Sequence, residues 1–136
     1  MPKICEEVVL SCSREKAFAE MTAVDFIKKS QPGVGIEFET TFKSERLTRY
    51  KMKFGKWELD SEKVIIPEAF TFVTRRTVSS PAGYSLIIQI FDVHEKGTLL
   101  KHIEDFEPQE NEERLSELKR RVSHYLQGVQ RYFGGA

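Results

Sequence analysis

Late in this chain the hydrophobic period changes from two to that of a helix, and that change limits the fold more than any other feature. From Val34 to Phe106 apolar residues tend to alternate with polar ones, whereas from Leu115 to Phe133 they recur every three or four residues. Period two marks half-buried antiparallel strands and period 3.6 an amphipathic helix, so the order is strands first and one helix last, an α+β domain. Ile36, Phe38, Thr40 and Phe42 share one strand face, with Glu37, Glu39, Thr41 and Lys43 on the other. "LTRYKMKF" repeats the pattern, setting Thr48, Tyr50, Met52 and Phe54 against Arg49, Lys51 and Lys53. The final stripe is Leu115, Leu118, Val122, Tyr125, Leu126, Val129, Tyr132 and Phe133, with Asn111 as N-cap, Glu112 and Glu113 at the positive end of the macrodipole, and Gly134 to stop it. Its roughly 22 residues would span about 33 Å, enough to cross a whole sheet.

Ahead of this region, "KICEEVVL" at 3–10 reads as a strand. Ser13 then caps a short helix through "REKAFAEM", and a second short helix, "AVDFIKK", stops at "SQPG". Register follows from keeping apolar faces together. A three-residue loop, Ser44 to Arg46, sets Phe38 against Met52 and Thr40 against Tyr50. A turn at Pro67 and Glu68 pairs Ile66 with Phe70 and Val64 with Phe72, leaving Glu62 opposite Thr74 and Asp60 opposite Arg76. Trp57 and Leu59 then have the wrong parity, which calls for a bulge near Asp60 or Ser61. After the "SSPAGY" loop, Gly97 in a left-handed position puts His94 opposite Thr98, Ile90 opposite His102 and Ile88 opposite Glu104. The opposite face of that hairpin, with Ile87, Gln89, Phe91, Val93, Leu99 and Ile103, is also largely apolar, so the pattern leaves open which face is inward.

The 136 residues suit a single domain, 1–136, with one core. Lysine plus arginine and aspartate plus glutamate stand at 21 each, so no net field favours nucleic acid or an anionic membrane. The start of the chain has no apolar stretch of the secretory kind, and no run approaches the roughly 18 residues of a membrane span. A cytoplasmic location is expected. Cys5 and Cys12 lack metal-ligand spacing and read as incidental thiols. The acidic run "EDFEPQENEE" lacks the ligand alternation of a calcium loop, and nucleotide, zinc-protease and nucleophile-elbow signatures are absent. No metal and no cofactor is expected.

The element order, with "SREKAFAEM" after the first strand, "EKVIIPEAFTFV", and "HEKGTLLKHIEDF" before the last helix, resembles the SRPBCC superfamily and its helix-grip fold. That superfamily includes START lipid-transfer domains, the birch-pollen-allergen type, polyketide cyclases and aromatases, coenzyme Q-binding proteins and homologues of heat-shock ATPase activators. The resemblance implies a seven-stranded curved antiparallel sheet gripping the long helix, two short helices after the first strand, and an apolar cavity between sheet and helix. Cavity walls are then expected from Phe38, Met52, Phe72, Ile88, Ile90, Leu118, Val122 and Tyr125, with polar contacts from Tyr50, Arg76, His102 and Glu104. Tyr50 and Tyr125 could equally be core. Arg76 would need Asp60, Glu62 or a ligand anion as partner if buried, or else ends a frayed strand. His102 and Glu104, two apart on a strand, read as a solvated or satisfied core pair, as polar contacts of the cavity, or as weak candidates for acid/base work. The expected function is binding, carriage or sensing of a small hydrophobic molecule or lipid. A cyclase- or aromatase-like enzyme and a protein-interaction module are the alternatives, and a homodimer is left open.

Overall fold

In a computed structural model, the residues described are 3–31, 33, 35–55, 57–76, 85–106 and 112–134, with backbone alone at 54, 57 and 114. The elements run β1 (Lys3–Leu10), α1 (Arg14–Met21), α2 (Phe26–Ser30), β2 (Glu37–Lys43), β3 (Leu47–Phe54), β4 (Trp57–Ile66), β5 (Thr71–Arg76), β6 (Ser85–His94), β7 (Gly97–Phe106) and α3 (Glu112–Tyr132). All strand pairs are antiparallel, in the order β1-β7-β6-β5-β4-β3-β2. The fold is a seven-stranded curved sheet with a long C-terminal helix, the helix-grip fold. The pair α1–α2 carries the chain from one sheet edge to the other. Ser13 caps α1 by accepting from the Lys16 amide at 3.2 Å. Asn111 and the loop at 77–84 lie outside the described residues.

The 21 residues of α3 make a rod of about 32 Å at 1.5 Å per residue. Leu118, Val122, Leu126, Val129 and Phe133 are buried along it. Ser123 donates to Glu6 at 2.6 Å and the Gln130 amide to the Val9 carbonyl at 3.0 Å, fixing α3 on β1. Gly128 faces α2 so closely that a Cβ would come within 3.0 Å of the Ser30 carbonyl oxygen. At that contact the Gln31 side chain donates to the Tyr125 carbonyl at 3.2 Å.

The registers correct part of the sequence reading. Phe38 does pair with Met52 and Thr40 with Tyr50, but a bulge at Thr41 absorbs one residue, so Phe42 meets Arg49 and the turn tightens to Glu45–Arg46. Between β4 and β5 the connection is a 3-10 turn, Pro67–Ala69, followed by Phe70 at φ 45°. This shifts the pairing by one residue: Ile65 meets Phe72, Lys63 meets Thr74 and Ser61 meets Arg76. Leu59 is then in phase with Ser61, Lys63 and Ile65, all buried, and β4 needs no bulge at Asp60 or Ser61 because it pairs in unbroken register on both sides.

A further shift affects the β6–β7 hairpin, which closes with His94 opposite Gly97, so that Gln89 meets His102 and Ile87 meets Glu104. A one-residue slip exchanges faces, and Ile88 and Ile90 therefore lie on the convex side with Ile103 and Lys101. Gly97 is held at φ +136°, and a Cβ there would fall 2.4 Å from the Leu10 carbonyl oxygen, so only glycine lets this hairpin tip seat on the end of β1. Next to it, Thr98 donates to the Cys12 carbonyl at 2.8 Å.

Candidate functional site

Moving along the inward face of β4–β7, each strand changes character. Ile65 gives way to Lys63 and Ser61, Phe72 to Thr74 and Arg76, Phe91 to Gln89, and Leu100 to His102 and Glu104. At the apolar end Phe18 of α1 stacks on Phe72, centroids 4.4 Å apart and planes at 9°, and meets Phe91 edge-on at 5.6 Å. That end is solid. At the polar end the sheet and α3 stand apart around a cavity of about 330 Å³, near the lower bound of ligand pockets.

Its walls come from two separate hydrophobic clusters. One is the main core, represented by Met21, Phe26, Leu118 and Val122, and the other is Tyr50, Met52 and Leu59 with Phe38, Ile36 and Val24. The cavity lies between them. Of the residues the sequence pointed to, Phe38, Tyr50, Met52, Arg76, His102, Glu104, Leu118, Val122 and Tyr125 line it. Phe72 does not: although in register with Gln89 and His102, it is wholly buried under Phe18. Ile88 and Ile90 do not either, because the hairpin register turns them outward.

Four side chains form a hydrogen-bonded chain across β7, β6 and α3. His102 Nε2 is 3.1 Å from Glu104 Oε1, and its Nδ1 is 3.2 Å from the Gln89 amide nitrogen, which also donates to Tyr125 Oη at 3.3 Å. An amide N–H pointing at Nδ1 requires a lone pair there, so the imidazole carries its proton on Nε2 and donates it to Glu104. Both ring nitrogens are thus committed, and the ring is only 3% exposed. Burial would push the Glu104 carboxyl up, but the hydrogen bond from His102 and the charge of Arg76 outweigh it and hold it below the ordinary value. Burial raises the Tyr125 phenol, against the opposing hydrogen bond from Gln89 and charge of Arg76.

The sequence reading missed Lys63, which is 6% exposed on the cavity wall. Its ammonium donates to the Met21 carbonyl at 2.5 Å and sits 4.0 Å above the Phe72 ring centroid. Burial, reinforced by the neighbouring Arg76 charge, lowers its pKa to about 7. Arg76 is not frayed: it pairs with Ser61 and Ser85 on either side and reaches the cavity. The expected acid Glu62 lies on the convex face, bonded by Arg49 at 2.9 Å and Arg75 at 2.8 Å. Arg76 Nε and the Ser61 hydroxyl are buried with no protein hydrogen-bond partner. Among the described residues no group of His, Cys, Asp and Glu is arranged to hold a metal ion, and no helix is long and apolar enough to cross a membrane.

No family model matches the sequence, and no curated protein does. Solved structures do match in fold. The Zhui aromatase/cyclase from Streptomyces sp. R1128 superposes with a TM-score of 0.78 at 11% identity, over 97% of this chain and 90% of that one. Ara h 8.0201 gives 0.74 at 12% identity, covering 97% of each chain. The Aha1 dimer from Colwellia psychrerythraea gives 0.74 at 15% identity, over 98% of this chain and 96% of that one. These structures belong to the SRPBCC superfamily, and the chain shares their helix-grip fold.

Proposed function

We propose that the protein binds a small, mainly apolar molecule in the cavity between α3 and the sheet, and carries, sequesters or senses it without transforming it. The observation that carries this reading is the pairing of an apolar-walled cavity with a histidine whose two nitrogens are both engaged inside the protein. A general base needs a free lone pair within reach of the substrate proton, and His102 Nδ1 spends its own on Gln89. Glu104 is likewise occupied by His102. A cyclase- or aromatase-like role, which the Zhui aromatase/cyclase brings to mind, ranks second for that reason. Native mass spectrometry of gently purified protein, before and after organic extraction, tests the reading: a bound species of at least about ten heavy atoms that extraction removes is the expected result. Protein that carries nothing and also fails to take up apolar fluorophores overturns it.

A protein-contact role has one observation behind it, a row of half-buried apolar side chains crossing the convex face from Val64 through Val73 and Ile88 to Ile103. A matching solved structure is the Aha1 dimer. Sedimentation velocity over a wide concentration range decides whether the row joins two copies, and a monomer throughout removes that reading.

A further inference from the structure

Lys63 and Arg76 are diagonal neighbours on adjacent strands of the inward face, since Lys63 pairs with Thr74 and Arg76 lies two residues on. Such diagonal positions are roughly 7–8 Å apart at Cα, a span that the two long side chains can close around one anionic group. Among the described residues neither cation has a carboxylate in hydrogen-bond contact on this face: Glu104, whose pKa the Arg76 charge lowers, lies three strands from Lys63 and is bonded to His102. Arg76 Nε and the hydroxyl of Ser61, its directly opposed neighbour, are buried donors with no partner. An ammonium has three N–H donors, and the Met21 carbonyl uses one of those on Lys63. Unused donors therefore gather at one point of the wall, among neutral hydroxyls of Ser61, Thr74 and Ser85.

Resting on the reading of the cavity as a ligand site, we propose that its ligand is an amphipathic anion. A carboxylate, or an acidic enol or phenol ionised near neutrality, lies between Lys63 and Arg76, and its apolar body extends between Phe38 and Met52 on the sheet and Leu118 and Val122 on α3. The anion supplies the acceptors that Arg76 Nε and Lys63 lack, and charge-assisted bonds from a guanidinium are the strongest available for that purpose. A neutral apolar ligand would leave Arg76 Nε and the remaining Lys63 donors without an acceptor.

The test compares 2-naphthoate with its uncharged analogue 2-naphthylmethanol by isothermal titration calorimetry between pH 6 and 9. The expected result at pH 6 is at least a tenfold preference for the acid, about what one charge-assisted contact contributes. Lys63 titrates near 7 in the free protein, so the acid's affinity falls by up to tenfold per pH unit above that, while the alcohol's stays level. The groups facing Lys63 are Arg76 from β5, His102 and Glu104 from β7, Tyr50 from β3, and Tyr125 and Arg121 from α3. Lys63→Met separates its part from theirs: it removes most of the pH dependence, and any that remains belongs to the others. Arg76→Gln lowers the preference about tenfold at every pH, leaving the pH-dependent part that belongs to Lys63. Circular dichroism and urea unfolding establish that both variants are folded, and Ser61→Ala, which perturbs neither cation, provides a third measure by weakening the acid two- to fivefold. If the alcohol binds as tightly as the acid, the anion proposal falls and the cavity reading stands; if neither binds, both fall.

Discussion

The two ends of the concave face sit on the same strands and follow opposite rules. At one end Phe18 of α1 plugs the space over Phe72, Phe91 and Leu100, all fully buried and closely packed. Beginning in the row of Phe72 itself, where Gln89 and His102 stand, and continuing to Lys63, Glu104 and Arg76, α3 arches over the sheet and leaves a cavity. The cover differs as well as the side chains of the sheet. An aromatic plug makes close packing the stable solution, whereas a standing-off helix leaves room in which buried polar groups must satisfy one another or stay unsatisfied. The packed end supplies stability, and the open end retains groups that reduce it, as functional sites commonly do.

The largest expected effect comes from breaking the packed end. Phe72→Ala, which removes a fully buried ring stacked on Phe18, should cost about 3–5 kcal/mol of unfolding free energy in urea denaturation. A loss under about 1 kcal/mol would mean that this end is as loosely filled as the other.

The opposite sign is expected at the open end. The folded-state pKa of Lys63, about 7, lies below its unfolded value near 10.4, so between those pH values the unfolded chain holds more protons and stability rises with pH. Below 7 the whole penalty is present. Lys63→Met should therefore raise stability by roughly 2–4 kcal/mol at pH 6, after the lost bond to Met21 is discounted, and flatten the rise between pH 7 and 10. Chemical denaturation at pH 6, 8 and 10 checks this: parallel curves for the two proteins would mean that Lys63 keeps an ordinary pKa and carries no burial penalty.

His102→Ala strands the Glu104 carboxylate without its N–H donor and should cost about 1–3 kcal/mol. Restoration by His102→Gln, which keeps a donor, would separate the hydrogen bond from ring packing. The smallest effect belongs to the convex side. Glu62→Gln, which loosens the exposed bridges from Arg49 and Arg75, should cost under about 1 kcal/mol and lose even that in high salt.

The same contrast explains what the sequence could reveal. The long strands, the Ser13 cap, the terminal helix and the Phe38–Met52 pairing were legible because alternating apolar residues and a capping serine are local signals. The open end was not. Lys63 lies between Glu62 and Val64, where alternation assigns the apolar Val64 to the inside, and a buried lysine runs against that rule. The registers of both later hairpins turned on one residue each, through a 3-10 turn with Phe70 at positive φ in one and a tight His94–Gly97 closure in the other. Neither device leaves a mark in hydrophobic pattern. Ile88 and Ile90 were exchanged for Ile87 and Gln89 in consequence, although His102 and Glu104 came out on the cavity side.

The pairing of β1 with β7 also bears on how the chain reaches this state. Lys3 is opposite Asp105 and Leu10 opposite Thr98, so the first strand finds its partner only after about a hundred residues have been made. Contacts of such long sequence separation slow folding. During synthesis Ile4, Val8 and Leu10 must wait, unpaired, until the last hairpin emerges and Gly97 can settle against the end of β1, which makes that glycine the closing stitch of the sheet.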